Sequence, residues 1–425
     1  MKMKVINILI VFLLLLTGCL GGGPKKYSNK DELVFWHSMS GQMGDVLKQL
    51  VEEYNSTQDP AMKVRPIYKG NYSSLIQSLL AGIPAKNLPD ITQAYESWTS
   101  KFIDNDIIVP LEDYFRALPK SEQDDFYKVL IDNNTFNGKL WSIPFNKSVP
   151  VMYYNKDMFE KYGINPPQKW SLDPEESEFD RVCSILTKDD DNDGIPNQWG
   201  YAFNVSVWIW ECLLLQAGGR LVDETGKKVL FNEAPGRDSL EWWKKLLDRK
   251  YSFKTAGFDF QNNFAAGNVG MIITSSVSKS FLSNKMTFNM AITEVPYYLK
   301  RAVVVSGTNV VVLKTEKARQ DAAWKFLAWL ISPEITAKWA VKTNYLPLRR
   351  SALETEIFRE AKKNDPYIEV PLSELAYAYF EPASSGWYNS RNIISDAVEI
   401  IMLGIKDNET ALTDAAKKVE AELNK

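Results

Sequence analysis

The chain has 425 residues, 50 Lys and Arg against 53 Asp and Glu, and a net charge of −3. It has no dense basic stretch, which argues against nucleic-acid binding, because the phosphate backbone requires clustered cations. The single histidine, His37, excludes a zinc site built from several histidines. The GxSxG, GxxxxGK[ST] and GxGxxG motifs are absent, so the sequence does not indicate an enzyme of these types.

The N-terminus has the features of an export signal. Two lysines precede an apolar run of 12 residues, Val5 to Leu16, which is shorter than the roughly 20 residues that span a bilayer. The run ends in Leu16-Thr17-Gly18-Cys19, which resembles a prokaryotic lipobox. We therefore predict a signal peptide over residues 1–18, lipidation of Cys19 and a flexible, glycine-rich tether over residues 19–32. The alternative is an ordinary signal peptide with an unrelated cysteine.

The next elements alternate between strands and helices. Leu33 to Trp36 and Lys63 to Tyr68 are predicted strands, and Pro89 to Tyr95 is a third. Apolar residues at helical spacing predict a helix over Gln42 to Tyr54 and a second helix beginning near Tyr72. This order favours a parallel α/β sheet, in which ligands bind beyond the carboxyl ends of the strands. Tyr72 and the pair Tyr95-Glu96 lie at such positions.

The length after removal of the signal peptide, 425 − 18 = 407 residues, indicates two lobes. An extended apolar segment from Ser142 to Lys156 is interpreted as a crossing between them, and Arg301 to Leu313 as a β-rich return. Residues 157–292 are predicted to be mostly helical. The predicted lobes are 33–141 plus about 297–338, and 142–296 plus about 339–425. Two such lobes would form a clamp that closes on a ligand.

An acidic loop is the one local metal-binding pattern. Asp189, Asp191 and Asp193 alternate ahead of Gly194, as in the first half of a calcium loop. The twelfth position is Gly200 rather than a bidentate glutamate. A structural calcium ion and a solvated acidic turn both remain open, and no other cofactor is predicted.

Five other residues have alternative interpretations. Trp208, and less strongly Trp210, lies among small polar residues and could stack on the carbons of a sugar or glycerol. Cys183 and Cys212 could be disulfide-bonded or two buried thiols. His37 is interpreted as a packed or capping residue rather than a general base.

Several motifs in the chain resemble a known family. The resemblance runs from about Leu33 to Leu412 and is carried by Phe35-Trp36-His37-Ser38-Met39, Tyr68-Lys69-Gly70-Asn71-Tyr72, Tyr95-Glu96, Pro144-Phe145-Asn146 with Ser148, Pro150 to Lys156, Thr343 to Pro347 and Arg391. These segments resemble the family 1 extracellular solute-binding proteins of ABC importers, and within them the glycerol-3-phosphate-binding proteins. The resemblance implies a two-lobe, periplasmic-binding-protein-like α/β clamp of type II, with the ligand between the lobes.

The resemblance also implies roles for individual residues. Arg391 would hold the phosphate through its fork of donors, together with Tyr345, Ser148, Ser275 or Ser276, and the backbone at Gly307. Glu96 and Tyr72 would bind glycerol hydroxyls, and Trp208 would cover the carbon chain. One departure is Lys147, at a position where relatives carry a small hydroxyl residue.

The partners follow from this resemblance. We expect a monomeric, membrane-anchored receptor that binds glycerol 3-phosphate or a glycerophosphodiester and delivers it to the membrane subunits of an ABC importer. An oligosaccharide-binding protein of the same fold is the nearer alternative. A secreted hydrolase is the more distant one, because paired carboxylates are set in space rather than in sequence.

Overall fold

The computed structural model describes residues 31–58 and 60–425. The predicted signal peptide, Cys19 and most of the predicted tether lie outside these residues. Within them, no helix combines the length and the apolar character needed to cross a membrane.

The strands are short and are spread along the whole described chain. In chain order they are β1 (Glu32–His37), β2 (Lys63–Tyr68), β3 (Ile91–Ala94), β4 (Thr135–Phe136), β5 (Lys139–Leu140), β6 (Ile143–Pro144), β7 (Pro150–Asn155), β8 (Trp199–Asn204), β9 (Ser252–Thr255), β10 (Val269–Ser275), β11 (Met290–Thr293), β12 (Val303–Val304), β13 (Asn309–Val312) and β14 (Ala378–Tyr379).

The helices cover the faces of the sheets formed by these strands. They are α1 (Gly41–Thr57), α2 (Tyr72–Ala85), α3 (Glu96–Asp104), α4 (Glu112–Arg116), α5 (Lys120–Asp125), α6 (Lys128–Asp132), α7 (Lys156–Tyr162), α8 (Glu178–Leu186), α9 (Val207–Gln216), α10 (Ala234–Asp248), α11 (Asp259–Ala265), α12 (Ser278–Leu282), α13 (Lys317–Leu330), α14 (Pro333–Thr343), α15 (Glu356–Asn364), α16 (Val370–Ser373), α17 (Trp387–Met402) and α18 (Asn408–Leu423), with 3₁₀ turns at Arg350–Glu354 and Glu374–Tyr377.

The first lobe contains the predicted parallel sheet. Its strand order is β2-β1-β3-β13-β6; β1 is parallel to β2 and β3, whereas β13 is antiparallel to β3 and β6. In β1 the run from Leu33 to Trp36 is apolar and fully buried, as expected of a strand covered on both faces. Because β1 is parallel to β2 and β3, the carboxyl ends of these strands lie at the same edge of the sheet, and this confirms the predicted α/β organisation.

The second lobe is built on a sheet that the sequence did not predict. Its order is β11-β7-β10-β8-β9, with β7 antiparallel to both neighbours and β8 parallel to β10 and β9. Residues 157–292 therefore include four strands as well as six helices. Periodicity missed the strands because a short buried apolar run cannot be distinguished from a buried helix by pattern alone.

The lobes are joined by extended segments that pair with each other. Ser148 and Ser306 form an antiparallel bridge, and each backbone N–H donates to the other's carbonyl oxygen, at 3.0 and 2.9 Å. Because β6 still belongs to the first sheet, the first crossing begins after Pro144 rather than at Ser142. The predicted boundary near 338 also shifts, because α14 packs on α1 in the first lobe.

The two cysteines and the histidine of the described chain are all buried. Cys183 and Cys212 are free thiols, both buried. The His37 side chain, at the end of β1, packs between Phe35 and Tyr68 and accepts a hydrogen bond at Nδ1 from the Met39 N–H, 3.3 Å away. Burial lowers the pKa of His37 from 6.5 to about 4.

A buried neutral histidine predicts a specific dependence of stability on pH. Because the pKa of His37 is depressed in the folded state, its contribution is present above about pH 6.5 and is lost as the pH falls toward 4. Between pH 7 and 5.5 we expect wild type to lose about 1 kcal/mol more unfolding free energy than His37→Asn. Urea unfolding of both proteins measures this difference, and equal losses would contradict the prediction.

Candidate functional site

A cleft of about 370 Å³ lies between the lobes and is lined by uncharged side chains. The first lobe contributes Met43, Tyr72 and Tyr95. The second lobe contributes Phe258, Gln261, Ser275, Val277, Ser278 and Phe281, and the remaining lining residues are Asn146, Ser148, Ser306, Gly307 and Tyr345. Aromatic faces with a few hydroxyl and amide groups suit a small ligand that carries several hydroxyls.

Five residues that the family resemblance assigned to ligand binding line this one cleft. They are Tyr72, Ser148, Ser275, Gly307 and Tyr345. They come from the start of α2, the first crossing, the end of β10, the second crossing and the segment after α14. Folding thus brings together positions up to 273 residues apart in the chain.

Tyr72 is held in place by a chain of buried amides. Its hydroxyl accepts a hydrogen bond from Asn146 Nδ2 at 3.0 Å. Asn146 Oδ1 in turn accepts from Gln93 Nε2 at 3.0 Å and from the Thr308 hydroxyl at 2.5 Å. Burial raises the pKa of Tyr72 well above its usual range, so the phenol stays neutral. It can therefore donate its proton to a ligand oxygen.

Tyr345 also lines the cleft, within electrostatic reach of Tyr72. Helix α14 ends at Thr343 and is capped by Asn344, whose left-handed backbone, with φ of 60°, ends the helix just before Tyr345. The Tyr345 ring stacks on Trp339 with centroids 5.6 Å apart and an interplanar angle of 3°. Burial raises the pKa of Tyr345.

Gly307 brings the two crossings into close contact. Its φ is +100°, and a Cβ at this position would lie 1.9 Å from the Asn146 carbonyl oxygen. No side chain fits in that space. The glycine therefore fixes how closely the crossings approach, and with it the position of Asn146 beneath the ligand space.

Glu96 is not among the residues that line the cleft, because it is paired inside the protein. Its Oε1 accepts from Lys147 Nζ at 2.7 Å, Asn133 Nδ2 at 2.5 Å and Asn309 Nδ2 at 3.0 Å. Lys147 is completely buried and also donates to the Gly307 carbonyl oxygen at 3.3 Å. Lys147, which stands where relatives carry a small hydroxyl residue, thus neutralises the Glu96 carboxylate that was predicted to bind glycerol hydroxyls.

Arg391 lies in a second cavity of about 350 Å³, next to the cleft. The two cavities share Tyr72 and Tyr95 as a common wall, and Tyr388 and Arg391 face them from α17. Arg391 Nη1 lies 3.1 Å from Glu381 Oε1. The other carboxylate oxygen of Glu381 accepts from Trp387 Nε1 at 3.1 Å.

A third ionisable group lies within electrostatic reach of this pair. Glu211 is fully buried, and its carboxyl group shares a side-chain hydrogen bond with Glu381. Burial raises the pKa of Glu211 well above its usual range, and the Glu381 charge raises it further, against the effect of Arg391. Burial opposes the charge of Arg391, but Glu381 and Glu211 outweigh it and raise the pKa of Arg391.

Ser276 and the tryptophans of α9 face away from the cleft. The Ser276 hydroxyl donates to the Asn344 carbonyl oxygen at 3.1 Å, so of the two predicted serines it is Ser275 that lines the cleft. Trp208 Nε1 donates to the Val304 carbonyl oxygen at 2.7 Å, and Trp208 lines neither cavity. Trp210 is fully buried. The predicted contact of Trp208 with ligand carbons is therefore not supported by its position.

The acidic loop brings its three carboxylates together. One oxygen each from Asp189, Asp191 and Asp193 lies within 4.8 Å of the others. Gly194 has a φ of +85°, and its carbonyl oxygen accepts from Lys250 Nζ at 2.6 Å. The arrangement is compatible with a hard cation, although Lys250 already supplies positive charge beside the loop. A structural calcium ion stays a prediction.

Sequence reasoning missed three aromatic or acidic contributors to the site. Phe258 and Phe281 expose 70% and 38% of their surface at the cleft. Glu381 has no motif that distinguishes it from the other acidic residues. Asn146 belongs to the Pro144-Phe145-Asn146 motif that resembles the family, and this motif was the available signal for a role of Asn146 in the site.

Comparison with known proteins identifies relatives over most of the chain. A family model described as bacterial extracellular solute-binding protein matches residues 49–366. The sn-glycerol-3-phosphate-binding periplasmic protein UgpB of Yersinia pseudotuberculosis is 26% identical over 414 residues, which is 91% of each chain. The UgpB protein of Escherichia coli O1:K1 is 26% identical over 410 residues, 90% of each chain.

Solved structures share the fold at lower identity. UgpB from Mycobacterium tuberculosis in complex with glycerophosphocholine has a TM-score of 0.80 and 22% identity, covering 92% of this chain and 98% of its own. The cyclic α-maltosyl-1,6-maltose binding protein of Arthrobacter globiformis has a TM-score of 0.76 and 23% identity, with the same coverage. The two-lobe clamp is thus confirmed as the fold.

The ion pair between Lys147 and Glu96 predicts non-additive effects of mutation. Lys147→Met would leave the Glu96 carboxylate mostly buried without a cation, which we expect to cost about 3–5 kcal/mol of unfolding free energy. Adding Glu96→Gln should recover a large part of that loss, because the remaining amide needs no counter-charge. Urea unfolding of the single and double variants measures the coupling. Simple additivity would show that the two groups do not stabilise each other.

Proposed function

Because the chain belongs to the bacterial extracellular solute-binding proteins, we propose that it captures glycerol 3-phosphate or a glycerophosphodiester outside the cell and delivers it to an ABC importer. The polyol would lie in the uncharged cleft between the lobes. The phosphate would lie toward Arg391. The family consists of binding proteins, and no catalytic step is required.

The observation that carries this proposal is the convergence of family positions on one cleft. Tyr72, Ser148, Ser275 and Tyr345 bring side-chain hydroxyl groups to the same cleft, and Gly307 brings backbone. The neutral phenols of Tyr72 and Tyr345 can donate to hydroxyl or phosphate oxygens. Relatives of similar length that are named for glycerol 3-phosphate support the same ligand class.

Arg391 is the cation available to a phosphate group in this arrangement. No Lys or Arg is found among the residues that line the main cleft, and Arg391 alone provides one in the adjoining cavity. A guanidinium can donate two parallel hydrogen bonds to phosphate oxygens. To do so here it would have to share its donors with Glu381.

A neutral oligosaccharide is the second candidate ligand. It is favoured by one observation: the two cations nearest the ligand space, Lys147 and Arg391, are both paired with carboxylates. A ligand without charge would need no counter-ion in such a site. The exposed faces of Phe258 and Phe281 suit stacking on sugar rings.

The proposed delivery to an importer depends partly on Cys19, which lies outside the residues that the structure describes. We propose that lipid on Cys19 holds the receptor at the outer face of the membrane, and that the closed clamp docks as a monomer on the importer's membrane subunits. Closure would bring Phe258 and Phe281 of the second lobe toward Met43 of the first.

Thermal unfolding of the full-length chain against a ligand panel tests the ligand class. A ligand at about 100 times its dissociation constant should stabilise the protein by about 2.7 kcal/mol, which shifts the melting temperature by a few degrees. We expect shifts with glycerol 3-phosphate and glycerophosphocholine, and none with maltose, trehalose or longer glucans. Shifts with the sugars alone would overturn the phosphate assignment in favour of the second candidate.

A paired substitution then tests Arg391 without leaving a buried charge unpaired. We expect Arg391→Gln with Glu381→Gln to weaken phosphate-ligand binding about 100-fold or more, as measured by calorimetry. The matched control is Arg301→Gln with Glu294→Gln, which removes another half-buried ion pair that lines neither cavity. Unchanged affinity in the Arg391 variant would exclude a phosphate contact there.

A further inference from the structure

The ion pair between Arg391 and Glu381 affects which kind of phosphate ester the Arg391 cavity can bind. The Arg391–Glu381 pair is mostly shielded from solvent, with 22% and 16% of the two side chains exposed. Trp387 Nε1 holds the second carboxylate oxygen of Glu381, so this carboxylate is anchored at both ends. Arg391 is the one cation among the residues that line this cavity, and Glu381, which does not itself line it, matches the charge of Arg391.

Glu211 is a second acidic group near the Arg391–Glu381 pair, and it brings no additional cation. It is completely buried, and its carboxyl group shares a side-chain hydrogen bond with Glu381. Burial and the Glu381 charge keep it protonated, so it contributes no charge while Glu381 is ionised. The cavity therefore has a net charge near zero before a ligand enters.

A phosphate monoester and a phosphodiester differ in the charge that they bring into this cavity. At pH 8 a monoester is a dianion, since its second pKa is about 6, whereas a diester carries a single negative charge. Each added negative charge is repelled by the Glu381 carboxylate in a partly desolvated site, where such repulsion is weakly screened. Glu381 therefore repels the one negative charge of a bound diester and both negative charges of a bound monoester.

The main cleft can hold the second substituent of a diester. Its volume of about 370 Å³ lies beside the Arg391 cavity, and its lining residues carry no formal charge. The Phe258 and Phe281 rings provide exposed apolar surface at the outer end. A monoester has no group to cover that surface.

We propose that Glu381 is a specificity-determining residue that makes this receptor select glycerophosphodiesters over glycerol 3-phosphate. This inference rests on the proposed function and narrows its ligand class. Glu381 acts by sharing Arg391 with the ligand, so that a bound diester adds one uncompensated negative charge to the site and a bound monoester adds two.

Calorimetry at pH 8 on the full-length chain tests this selectivity, with glycerol 3-phosphate and glycerophosphoglycerol as probes. We expect wild type to bind the diester at least about tenfold more tightly than the monoester. Glu381→Gln should reduce that ratio about tenfold, chiefly by tightening the monoester. Glu381→Asp keeps the charge and should retain the wild-type preference, and Glu294→Gln, in an ion pair outside both cavities, should leave the ratio unchanged.

Two other outcomes are informative in different ways. If Glu381→Gln weakens both probes equally, Glu381 only positions Arg391, and the selectivity inference is overturned while the proposed function stands. If neither probe binds wild type or Glu381→Gln and the sugars of the panel do bind, both the inference and the phosphate assignment fail.

Discussion

The site depends on one steric constraint, the close approach of the two crossings at Gly307. The space that a Cβ would occupy there is filled by the Asn146 carbonyl oxygen, so the chain can only pass as it does with glycine. This contact sets Asn146 beneath Tyr72, and it places the Gly307 carbonyl oxygen where Lys147 Nζ can donate to it. The floor of the cleft and the junction between the lobes are therefore the same piece of backbone.

Charge compensation is the second feature that shapes the site. The cations predicted or found near the ligand, Arg391 and Lys147, each have a carboxylate within hydrogen-bonding distance, and the Lys147 pair is deeply buried. Buried ions of this kind are retained only when they are paired and hydrogen-bonded. The consequence is a cleft lined by hydroxyl groups, amides and aromatic faces, with one guanidinium, paired with Glu381, in the adjoining cavity.

Much of the first lobe was predictable from local pattern. The ranges β1, α1, β2 and α2 match their periodicity because both sheet faces are covered and each helix buries one stripe. The second lobe was harder to predict from the sequence. Strands β8 to β11 are short, and they form strands because they pair with segments far away in the chain. Trp208 illustrates the same difficulty, because its surroundings looked like a binding site in sequence and the fold turns its indole N–H to Val304.

The sequence by itself determined the class of protein and the set of residue types available to the site. Motifs around Tyr72, Ser148, Tyr345 and Arg391 point to one family, because those residues must recur at fixed places for a ligand to be held. Only the tertiary structure decided which of them face the ligand space and which are neutralised. Partners such as Glu381 lie at no fixed sequence spacing from the side chains that they pair with, and the pairing energy exists only once folding removes both from water.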